Sequence, residues 1–305
     1  MKSKKSEQTT IAQLVEASSV NAVSTPPINE NKLNESLSEK LTNSSASDNR
    51  PLDVNNETVN IMDRLVASHM LVPGSNLDPM VVDDYRRIKR PLVSNACGRD
   101  KALVERGNLI LVTSSIPGEG KSYTSVNLAL SLSQEMDNTV LLVDCDVAKQ
   151  GVSRMLGLEN IAGLVDVLES DTLHIGDVLL HTDVPNLRVV SAGKKNEYMT
   201  ELLASQRMSN LVNEIINRYS NRIIIFDGPP LLATPQTRVL AELVGQVVFV
   251  VESGKTPQTL VEDAIKLIPE GQAIGLVMNK NIGQNKRGYY YGHYGSEDHE
   301  TKADS

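Results

Sequence analysis

The stretch Leu109-Ile110-Leu111-Val112-Thr113-Ser114-Ser115-Ile116-Pro117-Gly118-Glu119-Gly120-Lys121-Ser122 decides how the chain is read. An apolar run suited to a buried strand enters a loop with two glycines, and the loop closes on Gly-Lys-Ser where a helical pattern begins. That order of elements cradles nucleotide phosphates. Backbone N–H groups of the loop and of the helix N-terminus point at the anion, and Lys121 adds a full positive charge. Pro117, Gly118, Glu119, Gly120, Lys121, Ser122 and Tyr123 are therefore the candidate nucleotide-binding residues. In such loops the lysine reaches the β- and γ-phosphates of ATP, and the serine hydroxyl serves Mg²⁺.

Outward from this loop, strands and helices alternate. Leu109 to Thr113, Thr139 to Val143, Leu187 to Val190, Arg222 to Phe226, Val247 to Val251 and Gly275 to Met278 read as strands. Ser122 to Glu135, Gly163 to Leu168, Arg207 to Tyr219, Gln236 to Leu243 and Leu260 to Ile268 read as helices. Short, nearly unbroken β-branched runs separated by helices predict an α/β fold, a parallel β-sheet covered by helices on both faces. Ligands of such sheets sit at the carboxyl ends of the strands.

Three acids fall at those ends. Asp144-Cys145-Asp146 follows Val140-Leu141-Leu142-Val143, and Asp227 follows Ile223-Ile224-Ile225-Phe226. Gly228-Pro229-Pro230 turns the chain away and keeps Asp227 at the strand tip. Spacing i, i+2 puts Asp144 and Asp146 on one side if the strand persists. Neighbouring carboxylates raise each other's pKa, a cost that a divalent cation removes. Ser122, Asp144 and Asp227 are the candidate metal residues; Lys121, Asp144 and Asp146 are the candidate catalytic ones. Which carboxylate accepts a proton and which serves the metal is open at this point. Cys145 is expected to point into the core.

Composition sets the boundaries. The chain has 305 residues, 40% of them hydrophobic, yet no aromatic residue precedes Tyr85. Residues 1–78 read as a largely disordered polar arm, since a Ser/Asn/Thr-rich segment buries too little apolar surface to offset its ordering entropy. Within it, Leu33, Leu37 and Leu41, and the shorter set Ile11, Leu14 and Val15, have the spacing of partner-binding helices. Residues 79–282 form the nucleotide-binding domain, opened by an amphipathic helix over 79–96 that Pro91 interrupts. Residues 283–305 form a tail. A net charge of −8 speaks against a nucleic-acid binder. Two cysteines without ligand spacing suit a reducing compartment. The basic start Met1-Lys2-Ser3-Lys4-Lys5 lacks the apolar region of a signal peptide, and no run reaches the roughly 18 apolar residues of a membrane span.

The tail carries the second clue. Of the eight tyrosines, Tyr289, Tyr290, Tyr291 and Tyr294 fall within Gly288 to Gly295, although aromatic residues are 3% of the chain. Glycines and Lys286-Arg287 beside them predict an exposed, mobile segment. The alternatives, a structural aromatic patch or a base-stacking platform, fit the glycines and the acidic chain poorly.

The order Ser-Ser-x-Pro-Gly-Glu-Gly-Lys-Ser, then a strand-borne Asp-x-Asp, then an acid after an Ile-rich strand resembles the bacterial tyrosine kinases (BY-kinases) of polysaccharide biosynthesis loci. Ala148-Lys149 after Asp146, with Arg86-Arg87-Ile88-Lys89-Arg90-Pro91-Leu92 upstream, is similar to the autokinases of exosortase-type exopolysaccharide loci. The resemblance covers Val81 to Lys280 and the tyrosine tail. It implies a P-loop NTPase of the MinD/ParA-like group that phosphorylates Tyr289, Tyr290, Tyr291 and Tyr294 in trans, using ATP and Mg²⁺. Asp84, Arg87 and Arg90 are similar to the family's Glu-x-x-Arg-x-x-Arg helix, which docks subunits into a ring. At that spacing they share one helix face. The resemblance further implies a transmembrane polysaccharide co-polymerase as activator, a cytoplasmic location peripheral to the inner membrane, and no nucleic-acid partner. It admits a cognate tyrosine phosphatase. The rival is a MinD/ParA-like regulatory ATPase without kinase activity, which predicts a signature lysine where Ile116 stands. Ser115 likewise replaces the first glycine of the standard loop.

Overall fold

The computed structural model describes residues 58–72, 78–98, 102–195, 198–218 and 222–281. The tyrosine cluster and the apolar patterns around Ile11 and Leu33 lie outside them. The strands are β1 (Thr58–Val59), β2 (Leu109–Ser114), β3 (Thr139–Asp144), β4 (Leu180–Thr182), β5 (Leu187–Val190), β6 (Arg222–Asp227), β7 (Gln246–Glu252) and β8 (Ala273–Asn279). They form one sheet in the order β1-β4-β5-β3-β6-β2-β7-β8. Every neighbouring pair is parallel except β4 and β5, where Leu180 faces Val189 in antiparallel register. The expected parallel sheet is borne out with this one antiparallel pair, where the turn between two short strands leaves no room for the crossover that parallel pairing needs.

The helices are α1 (Met62–Ala67), α2 (Pro79–Cys97), α3 (Lys121–Leu132), α4 (Gly151–Leu156), α5 (Leu164–Glu169), α6 (Met199–Leu203), α7 (Gln206–Arg218), α8 (Gln236–Leu243) and α9 (Gln258–Ile265). They cover both faces, because alternate residues of each central strand point to opposite sides. Leu109, Leu111, Leu141, Val143, Ile224 and Phe226 pack with Leu164, Met208, Leu211 and Leu240 on one face. Ile110, Val112, Val140, Leu142, Ile223 and Ile225 pack with Leu65, Tyr85, Leu92 and Val126 on the other. Each fully buried Val, Leu or Ile contributes about 1.5–3 kcal/mol. Two buried faces explain why these strands read as unbroken apolar runs.

The folded part begins earlier than residue 79. Residues 58–72, assigned to the polar arm from the sequence, supply β1 and α1 and bury Ile61, Leu65, Met70, Leu71 and Val72 against the second face. The anchors are distant in sequence. Asp183 accepts hydrogen bonds from the Ile61 and Met62 amides at 3.0 and 3.2 Å, and Asn127 accepts one from the Leu71 amide at 2.7 Å.

Helix α2 runs unbroken through Pro91, where an interruption was expected. Pro91 is exposed, so the carbonyl its missing N–H would have served can turn to water. Asp78 caps this helix by accepting from the Met80 amide at 2.9 Å, with Pro79 in the first turn. Among the described residues no helix is long and apolar enough to cross a membrane.

Candidate active site

Strand β2 lies at the centre of the sheet between β6 and β7, so its carboxyl end opens into a cleft walled by neighbouring strand tips. The loop after it turns at Gly118 and Gly120, whose φ values of 98° and 94° lie in the left-handed region that favours glycine. Gly120 is constrained twice over: a Cβ there would come within 2.0 Å of Asn279 Nδ2. Helix α3 starts at Lys121 immediately after it.

Parallel pairing of β3 and β6 sets Asp144 opposite Asp227, and both are fully buried. Strand β3 ends at Asp144, so Asp146 is not its continuation; the next loop returns Asp146 to the site. The Asp146 amide donates to Asp144 Oδ1 at 3.2 Å. Asp144 Oδ2 accepts from both the amide and the hydroxyl of Ser153 at 2.8 Å. Both oxygens of Asp144 are thus engaged by its own loop and α4. Lys121 Nζ makes a buried ion pair with Asp146.

Asp227 is held by two serines of α3. Ser122 donates to one oxygen at 2.6 Å and Ser125 to the other at 2.8 Å. Gly151 packs so tightly on this pair that a Cβ would lie 2.3 Å from Ser122 Oγ.

The electrostatics follow from burial. Asp144 is pushed up to about 7, chiefly by loss of water and then by the charge of Asp227, against the bonds from Ser153. Burial also raises Asp227, while Lys121, Ser122 and Ser125 oppose it. For Lys121, burial alone would favour the neutral amine, but Asp227, Asp146 and Asp144 outweigh it and hold the ammonium above its usual value. Cys145 sits wholly in the core, and burial pushes its thiol well up, which removes it as a nucleophile.

Three residues brace the loop through contacts that its sequence spacing does not show, one of them the candidate binding residue Glu119. Glu119, 1% exposed, accepts from the Ile116 amide at 2.8 Å and from Thr256 Oγ1 at 2.6 Å. It thereby ties the phosphate loop to the segment after β7. At the end of β8, Asn279 Nδ2 donates to the Glu119 carbonyl at 2.9 Å, and Lys280 Nζ donates to the Gly118 carbonyl at 2.7 Å. Lys280 also pairs with Glu252 at 3.2 Å. A planar trans peptide sets C=O and N–H on opposite sides. Gripping these two carbonyls from outside therefore aims the Glu119 and Gly120 amides the other way. Glu119, Asn279 and Lys280 meet at the loop, and Glu252 joins the first and last, its amide donating to Glu119 Oε1 at 3.4 Å; no local pattern marks these contacts.

The remaining predicted residues divide. Tyr123 turns its hydroxyl to the His69 carbonyl at 3.3 Å, away from the acids. Ser115 is fully buried and its hydroxyl has no partner among the described residues. Asp84, Arg87 and Arg90 are exposed on α2, apart from the acid cluster.

A phosphate-binding loop at a sheet centre, opposed by strand-tip carboxylates, defines a P-loop nucleotide-binding protein of α/β class. Residues 107–259 match the AAA domain family. The chain is 32% identical over 192 residues to the tyrosine-protein kinase YwqD of Bacillus subtilis (strain 168), spanning 62% of this chain and 78% of YwqD. It is 31% identical over 202 residues to the tyrosine-protein kinase CpsD of Streptococcus agalactiae, spanning 65% of this chain and 86% of CpsD. The crystal structure of the VpsO kinase domain superposes with a TM-score of 0.55 at 28% identity, over 66% of this chain and 96% of that domain. The chain belongs to the bacterial tyrosine-protein kinase family. It is a protein-tyrosine kinase.

Proposed function

We propose that this kinase transfers the γ-phosphoryl group of ATP to Tyr289, Tyr290, Tyr291 and Tyr294 of a neighbouring copy, and that this autophosphorylation regulates exopolysaccharide synthesis and export. The observation that carries the reading is the convergence of Lys121, Ser122, Asp144, Asp146 and Asp227 at the carboxyl ends of adjacent strands. The loop from Pro117 to Tyr123 holds the phosphates through its amides, and Lys121 leaves Asp146 to meet the terminal ones.

Ser122 and Asp227 fit a magnesium ion. Three acids face a single lysine there, and burial disfavours that excess of negative charge. Among the described residues no three side chains form a chelating group of His, Cys, Asp or Glu; Mg²⁺ in such sites takes most of its ligands from phosphates and water. When bound, it supplies charge neutralisation at the transferring group. Asp144, with both oxygens engaged, holds Asp146 in place.

Asp146, once released by Lys121, orients the acceptor hydroxyl and takes its proton. The Oη–P bond forms as the bond from the γ-phosphorus to the bridging oxygen breaks. ADP leaves with the electron pair, and the proton stays on the carboxylate. Phosphoryl transfer through a loose transition state needs positioning and charge neutralisation more than a strong base.

The exposed Asp84, Arg87 and Arg90 support docking of one subunit on the next in a ring. Each phosphotyrosine adds about −1.5 to −2 charges, so a phosphorylated tail is repelled by the acidic site and the ring opens. A transmembrane co-polymerase would hold the kinase at the cytoplasmic face of the inner membrane, and a cognate phosphatase would reset it. Incubation of purified protein with Mg-ATP tests the reading. Phosphotyrosine should form in the wild type, fail in Lys121→Met, and fail in Asp146→Asn while nucleotide binding persists. ATP turnover without phosphotyrosine would favour the regulatory ATPase instead.

A further inference from the structure

The sheet ends at β8, which pairs with β7 along its whole length and has no strand on its other side among the described residues. The Ala273 amide donates to the Gly245 carbonyl at 2.9 Å, and the Asn279 carbonyl accepts from the Ser253 amide at 2.8 Å. Alternate residues of a parallel strand bond to the same neighbour, so the N–H and C=O groups of Ile274, Leu276 and Met278 point outward. Their side chains are 41%, 58% and 60% exposed. An uncharged apolar edge of this length is a template for another strand unless something covers it. On the face it shares with α2, β8 borders a cleft of about 350 Å³, where Gly275 and Val277 lie opposite Arg87, Ile88, Pro91 and Leu92. A Cβ at Gly275 would meet nothing within 4 Å, so packing within the fold does not require a glycine. It leaves bare backbone of the kind that another chain approaches closely.

We infer that the tail of the same chain, residues 282–305, docks on this edge as an added antiparallel strand and lays tyrosine rings in the α2 cleft. Its point of departure favours it over other occupants. The tail leaves from the end of β8 itself, where Lys280 at φ 56° has the positive φ of hairpin turns. The N-terminal arm instead joins the sheet at β1, the opposite edge, about 34 Å away at roughly 4.8 Å per strand. A short link to β8 keeps the tail at an effective concentration on the order of millimolar. Its composition fits as well. Between Ile282 and Ser305 there is no proline, so every residue can donate to the ladder. Strand alternation sets Tyr289 and Tyr291 on one face and Tyr290 and Tyr294 on the other. One pair then enters the cleft while the other covers Ile274, Leu276 and Met278. A cavity of about 150 Å³ holds benzene in another protein, so this one admits two rings, and Arg87 lies beside them for a cation–π contact. Asp146 follows β3, four strand spacings from β8, or about 19 Å. Docking therefore withholds the tyrosines from the acids. That consequence rests on the kinase reading given above; the docking itself does not.

Amide hydrogen exchange of the full chain without nucleotide tests the docking. The comparison is with a variant that combines Tyr289→Ser, Tyr290→Ser, Tyr291→Ser and Tyr294→Ser. The Ile274, Leu276 and Met278 amides should exchange at least about tenfold more slowly in the wild type, and keep those rates when the protein is diluted about tenfold. Equal exchange in the two proteins overturns the docking. Protection that disappears on dilution overturns the choice of occupant and assigns the edge to a second copy. A second probe reads the tail directly. The chain has no tryptophan, so Tyr291→Trp reports alone; its emission should be that of a sheltered indole and shift to the red when Leu276→Lys is added at the exposed edge. Emission that Leu276→Lys leaves unmoved counts against the docking as well. With Mg-ATP, the initial rate of phosphotyrosine formation should rise about tenfold in Leu276→Lys as the withheld fraction is released. Docking seen by exchange with an unchanged rate overturns the withholding. If neither protein forms phosphotyrosine, the kinase reading falls and the withholding with it, while exchange and emission still decide the docking.

Discussion

Ser122 donates its hydroxyl to Asp227 across 2.6 Å, tying the first turn of α3 to the tip of β6. The bond lies wholly in the interior, with Ser125 on the other carboxylate oxygen and Gly151 packed over the serine. Asp227 is thus held from two sides while its charge lacks a full counterion. That arrangement suits the magnesium role proposed for Asp227.

Ser122→Ala removes this hydroxyl and leaves Asp227 with one fewer bond. The expected outcome is a rise of about tenfold or more in the Mg²⁺ concentration needed for half-maximal tyrosine phosphorylation. Titrating Mg²⁺ at saturating ATP measures it. An unchanged Mg²⁺ requirement would remove Ser122 and Asp227 as the metal pair.

Asp144 makes the protein's stability depend on pH. Its carboxyl lies at about 7 in the folded protein against an ordinary value of 3.8, raised chiefly by burial. Between those values the folded state holds a proton that the unfolded chain has released. Its stabilising contribution is therefore full below pH 3.8 and lost as pH rises to about 7. Asp227 is raised as well and acts in the same direction. Melting temperatures of the nucleotide-free protein should fall between about pH 5 and about pH 8, and fall less in Asp144→Asn. Parallel slopes in the two proteins would contradict the raised carboxyl.

The two loop glycines should separate strain from crowding. Both have positive φ, but a Cβ on Gly118 meets nothing within 4 Å, whereas one on Gly120 meets Asn279 Nδ2 at 2.0 Å. Gly118→Ala should cost about 1–2 kcal/mol of stability from backbone strain. Gly120→Ala should cost more and abolish phosphorylation, since Asn279 must be pushed off the loop. Urea denaturation of both variants, with a phosphotyrosine assay, decides the order.

Much of this was legible because central strands of an α/β sheet are apolar on both faces. Val140 to Val143 and Ile223 to Phe226 could be read directly, and with them the acids at their ends. The loop's lysine, serine and glycines were legible for the same reason, since their spacing is local. What escaped depends on contacts between distant residues. Helix α1 has six residues and no side-chain cap of its own. Its first amides are satisfied by Asp183, more than a hundred residues later, so no window of sequence announces it. Gly151 reads as an ordinary helix-start glycine until Ser122 is seen lying against it. For Asp146 the persisting-strand reading does not hold: the strand stops at Asp144, and a loop bond brings Asp146 to Lys121.

Lys280 offers the last test, because its backbone and its side chain act in opposite directions. At φ 56° it occupies a region that L-residues avoid, a strain of about 1–2 kcal/mol. Its Nζ grips the Gly118 carbonyl at 2.7 Å and pairs with Glu252 at 3.2 Å. Lys280→Ala loses the grip and keeps the strain; Lys280→Gly loses the grip and is freed of strain. Both should weaken nucleotide binding by about tenfold, the worth of one charge-assisted bond that orients the Glu119 amide. The glycine variant should nonetheless be more stable than the alanine variant by about 1 kcal/mol. Isothermal titration with a non-hydrolysable ATP analogue and urea denaturation measure the two effects separately. Wild-type affinity in either variant would show that the loop holds its shape without the lysine and that Glu119 and Asn279 suffice.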